Sequence, residues 1–242
     1  MERDDIIKII TEFTERHNNS KDGGTSIVID IAKYFNNFSE EERAVVIEYL
    51  ITELRKTNYD AIDLTYISIL VEMKVHKAAQ YIYDIYNRHL KYKKDFDWKK
   101  FIVYDLLKLR YFEAEYLYEE YIRICKERTD NGELFFVGVL YCGTNYIKGM
   151  DLLSDYFCKH LIGNNEKMSH FFENRMGFLI LNFIDISKDY IIDILEQTTN
   201  KNHEAGFRLK EIITSYLLSD NVPKERKESM SEIVKLIENV AI

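Results

Sequence analysis

The chain has 242 residues, 46% hydrophobic and 31% charged, the proportions of a soluble protein with a core of its own. One proline, nine glycines and 14% aromatic residues leave little of the punctuation that β-rich folds need and favour long side chains packed between helices. With 41 acidic against 33 basic side chains the net charge is −8, which opposes general binding to phosphate backbones and suits a basic protein partner.

In chain order, the charged start Met1-Glu2-Arg3-Asp4-Asp5 lacks the apolar core of a secretion signal and leads into an amphipathic pattern, predicting a helix over 2–17. The loop-like stretch 18–24 precedes a second helix over 25–37; its β-branched run Ser26–Ile31 is the one place where a strand is arguable. Ser39 and Glu42 form a capping box for a helix over 40–56, and Asp60 can cap 61–73. After bends at Lys74-Val75 and Arg110-Tyr111, the pattern predicts helices over 76–92, 98–109 and 112–128, with Asp97 ahead of the second of these. Asn131-Gly132 precedes helices over 133–145 and 147–162, and Gly163-Asn164-Asn165 breaks the chain before a helix over 168–184. Ser187 caps 188–198, and two more helices cover 203–218 and 224–240, with Pro223 at the start of the last. No segment approaches the roughly 18 uncharged apolar residues of a membrane span. Cys125, Cys142 and Cys158 are odd in number and sit in apolar segments, as buried thiols of a reducing compartment do. The expected location is the cytoplasm, with no membrane partner.

Three segments superimpose at offsets of 36 and 35 residues: Val75–Ile85, Tyr111–Tyr121 and Tyr146–Tyr156. Each has an apolar or aromatic residue first, a small one fourth (Ala78, Ala114, Gly149), apolar residues seventh and eighth, and an acid tenth (Asp84, Glu120, Asp155). Looser copies begin near Phe38 and Ile186. The small fourth residue falls in the first turn of the second helix of a pair, where two antiparallel helices converge and a large side chain would push them apart. Such a unit cannot bury both faces alone, so several must stack.

On this pattern the chain resembles the HEAT-like or armadillo-like α-solenoids over roughly residues 25–220, although it lacks the proline and the Asp/Arg ladder of regular HEAT repeats. The resemblance implies an all-α fold, a right-handed α-α superhelix of about five to six helical hairpins, with a compact helical bundle as the alternative. The implied organisation is a single domain over 1–242: an N-terminal capping helix and loop (1–24), the repeats (25–220) and a C-terminal capping helix (221–242).

The residues offer little chemistry. There is no Gly-rich phosphate loop, Cys-x-x-Cys pair, His-Glu-x-x-His or Gly-x-Ser-x-Gly. Cys158 and His160, two apart on a helix, diverge and cannot share a metal. No catalytic residue, metal site or cofactor is expected, and the chain is not expected to be an enzyme. One HEAT-like group, the alkylpurine DNA glycosylases, does act on nucleic acid. It needs a basic concave groove, whereas the acids of the second helices would repel phosphate here, so a glycosylase-like enzyme is the alternative reading.

Two surfaces stand out. The acids Asp84, Glu120 and Asp155, with Glu119 beside them and Tyr83, Tyr86, Tyr118 and Tyr121 adjacent, predict an acidic, tyrosine-rich face for a basic protein. A basic cluster, Arg88, Lys91, Lys93, Lys94, Lys99 and Lys100 with Tyr92, Phe96 and Trp98, reads as a solvated link between repeats. The functional expectation is a non-catalytic protein-binding module. By analogy with small acidic HEAT-like proteins it would be an immunity protein covering the basic cleft of a bacterial toxin, and otherwise a scaffold.

Overall fold

The computed structural model describes residues 3–18, 25–56, 61–90, 96–127, 132–162, 169–219 and 227–240. All regular structure among them is helical. The helices are α1 (Arg3–Asn18), α2 (Thr25–Asn36), α3 (Glu40–Lys56), α4 (Ala61–Glu72), α5 (Ala79–Ile85), α6 (Phe96–Lys108) and α7 (Glu115–Glu127). They continue with α8 (Gly132–Cys142), α9 (Tyr146–His160), α10 (Ser169–Ile186), α11 (Asp189–Lys201), α12 (His203–Leu217) and α13 (Lys227–Glu238). A 3-10 turn (His76–Ala78) leads into α5 and a π segment (Tyr86–Leu90) leaves it. The run Ser26–Ile31 is helical. Among the described residues, no helix is long and apolar enough to cross a membrane.

Local signals account for these ends. Ser39 Oγ accepts from the Glu42 amide (3.3 Å) while Glu42 Oε2 accepts from the Ser39 amide (3.2 Å), closing the capping box of α3. Three acids in its first turn and Arg55 and Lys56 in its last complement the helix dipole. Ser187 Oγ accepts from the Asp189 amide (3.3 Å) at the start of α11. Asp60 and Pro223 lie outside the described residues.

The chain divides into two compact units, Met1–Tyr118 and Glu119–Ile242, each with its own packing. In the first, α2 packs on α4 and α4 on α6, while α1 packs on α3 and α3 on α5. Its core includes the fully buried Ile31, Phe35, Leu50, Ile67, Leu70, Ile82 and Leu106. In the second, α8 packs on α10 and α10 on α12, while α9 packs on α11 and α11 on α13. One core runs through it, with Phe135, Leu153, Phe157, Phe183, Ile194, Leu209 and Ile233 at its centre. In both units even-numbered helices touch even and odd touch odd, besides contacts between neighbours in sequence, with α9 against α12 in the second unit as an exception.

The turns after α4 and α6 are built alike, 36 positions apart. Val75 N–H reaches Leu70 O (3.0 Å) and Lys74 N–H reaches Val71 O (2.9 Å); Tyr111 N–H reaches Leu106 O (2.9 Å) and Arg110 N–H reaches Leu107 O (2.9 Å). Lys74 (φ 56°) and Arg110 (φ 55°) take the left-handed position that such a helix stop demands. Lys108 also pairs with Glu72 at 2.8 Å, again 36 positions apart, across α4 and α6.

The turns before α9 and α12 use a different device. Asn145 Oδ1 accepts from the Lys148 amide (3.3 Å), and Asn202 Oδ1 from the Ala205 amide (3.0 Å). Four residues after each cap stands a glycine pressed on the preceding helix. A Cβ on Gly149 would lie 2.5 Å from Cys142 N, and one on Gly206 would lie 2.7 Å from Thr199 Cα. The small residues expected at the fourth column, Ala78, Ala114 and Gly149, are all buried.

Candidate functional site

In each aligned segment the fourth, eighth and eleventh positions are inside: Ala78, Ile82 and Ile85; Ala114, Tyr118 and Tyr121; Gly149, Leu153 and Tyr156; Gly149 lies in the first turn of α9 as expected, whereas Ala78 and Ala114 stand just ahead of α5 and α7. These positions share one helical face. The acid at position ten stays out of the core, with Asp84 half-buried and Glu120 and Asp155 exposed.

The inward face decides which tyrosines can meet a partner. Tyr86, Tyr118 and Tyr121 are 2%, 0% and 2% exposed, correcting the expectation that their rings line a surface beside the acids. Tyr118 OH donates to the Tyr111 carbonyl, and Tyr121 OH donates to Glu133 Oε2 at 2.6 Å, so both are tied into the interior. Positions eight and eleven continue the buried stripe started by the small residue, and a tyrosine there fills the space between helices.

In the first unit aromatic rings and carboxylates do meet at the surface. The Tyr83 ring stacks on Tyr86 (6.4 Å between centroids, 8° between planes) and tilts against Tyr111 at 5.5 Å. Its hydroxyl shares a hydrogen bond with that of Tyr116, whose side chain is 48% exposed as a residue. Tyr111 OH donates to Gln80 Oε1 (2.7 Å), and Gln80 Nε2 donates to Asp84 Oδ1 (3.0 Å). Arg88 Nε donates to the backbone carbonyl of Asp84 at 3.3 Å. Burial raises the pKa of the Tyr111 hydroxyl above its usual range, and Glu113, Tyr83 and Asp84 push it further in the same direction.

In the second unit Glu120 is exposed, while Asp155 and its neighbours Asp151 and Glu119 are already engaged. Lys201, on α11, reaches Asp151 Oδ1 (2.6 Å) and Asp155 Oδ1 (2.7 Å) on α9. Glu119 is paired with Lys148. The Glu119–Lys148 and Arg123–Glu127 (2.7 Å) pairs, with Lys126 and Asp151, rim a groove of about 510 Å³ whose apolar lining is Ile122, Tyr141 and Leu152.

Among the described residues the remaining reactive groups do not assemble. Cys158 Sγ faces Thr198 O at 3.8 Å, while the His160 ring lies 4.5 Å from that of Tyr156, so the two side chains diverge as expected. Burial lowers the His160 pKa, helped by Lys159 and Arg175. Burial pushes the Cys142 thiol up to about 12. Among the described residues no group of three metal-ligating side chains occurs. Burial also pushes the Asp105 carboxyl up to about 7, against the opposing pull of Lys108 and with a further push from Glu72.

Arg175 was not singled out by the sequence reading. It is 9% exposed, its Nη1 donates to Tyr156 OH, and its guanidinium lies 5.6–5.8 Å from the rings of Phe135, Phe136 and Tyr156. One arginine heading the apolar run Met176–Phe183 was the available signal. Of the basic cluster, Lys91, Tyr92, Lys93 and Lys94 lie outside the described residues, as do the side chains of Phe96, Trp98, Lys99 and Lys100.

Comparison with known protein families, curated proteins and solved structures found no match to this chain.

Proposed function

We propose that the chain is a divergent HEAT-like repeat protein that binds a basic protein partner without catalysing a reaction. Its best-fitting role is neutralisation of a bacterial toxin, with scaffolding as the competing form of the same activity. Contacts of even helices with even and odd with odd are what stacked hairpins require. The matching turns at Lys74 and Arg110 support the same period.

The observation that carries the reading is the second-helix pattern. Positions four, eight and eleven go inside in all three segments, and the acid at position ten stays out. Carboxylates left outside the core in each unit give a basic partner matching charge, and charge matching sets association rate and specificity. Cytoplasmic residence fits this role and the three free cysteines.

The test is affinity capture from the native cell on the immobilised chain, with Asp84→Lys, Glu120→Lys and Asp155→Lys combined as the comparison. The expected result is a captured protein of high pI that the triple variant fails to hold while its helical circular dichroism stays unchanged. Capture of an acidic partner, or equal retention by the triple variant, would overturn the proposal.

A further inference from the structure

We draw no further inference here: the strongest candidate, the groove of the second unit over Ile122, Tyr141 and Leu152, is rimmed by charges of both signs, and nothing in the structure shows what covers it.

Discussion

Replacing Gly149 by alanine sets two effects against each other. In an ordinary helix interior the change stabilises by up to about 1 kcal/mol, because glycine is the freer residue in the unfolded chain. Here the new Cβ would stand 2.5 Å from Cys142 N, 2.6 Å from its Sγ and 2.8 Å from its Cα. Ordinary contact between heavy atoms is about 3.5–4 Å, so α9 would have to retreat from α8 by about 1 Å. The obstacle is backbone, which cannot swing aside, and overpacking of this kind costs about 1–3 kcal/mol. Packing outweighs propensity, giving a net loss of about 1–2 kcal/mol. Urea unfolding followed by ellipticity at 222 nm measures it. Gly138→Ala is the internal control, since its nearest obstacle is the Leu153 side chain at 2.9 Å, which can adjust, so the loss there should be smaller. A gain in stability for Gly149→Ala would refute the close approach of these helices.

Lys74→Gly and Arg110→Gly should each stabilise by about 1 kcal/mol, because glycine takes the left-handed position without the Cβ clash. Unequal signs in urea unfolding would break the equivalence of the two turns. Asp105 gives a pH signature. Its folded carboxyl keeps its proton up to about pH 7, above the 3.8 of an ordinary aspartate, so its contribution to stability is complete below pH 4 and is lost as pH rises through 7. Asp105→Asn removes that loss, and its stability relative to wild type should rise between pH 4 and 8 by at most about 4 kcal/mol. Parallel pH profiles for the two proteins would contradict the burial of that carboxyl.

The helices were legible because apolar spacing and short polar breaks recur along the whole chain, and the capping box at Ser39 and Glu42 formed as the residues indicate. The bends at Lys74 and Arg110 were also visible, but nothing in a lysine or arginine announces a positive φ. That conformation comes from the tertiary demand for a tight stop. Where a single helix was expected over 76–92, the described residues 76–90 form a 3-10 turn, a short α-helix and a π segment, a subdivision of backbone hydrogen bonding that side-chain periodicity does not encode. Gly206 escaped notice because its segment is shifted from the 36-residue register. The shared Asn-x-x-x-Gly of 145–149 and 202–206 would have pointed to it.

The candidate site was less legible. Acids at position ten follow from helical geometry once the small residue is fixed, and they do stay outside the core. Tyrosine is ambiguous, since the same ring fills a core or faces a partner. Tyr118 and Tyr121 fall on the inward stripe, while Tyr83 and Tyr116 fall beside it and meet through their hydroxyls. Sequence spacing gave no sign that Lys201 would occupy Asp151 and Asp155, because the pairs join residues 46 and 50 positions apart.

Hydrogen exchange on the chain with and without its captured partner addresses the central claim most directly. Binding through the outer face of the second helices predicts slowed exchange over Ala79–Ile85 and Tyr146–His160, with Ala61–Glu72 and Gly132–Cys142 unchanged. Protection confined to those first helices, with the second helices unaffected, would contradict it.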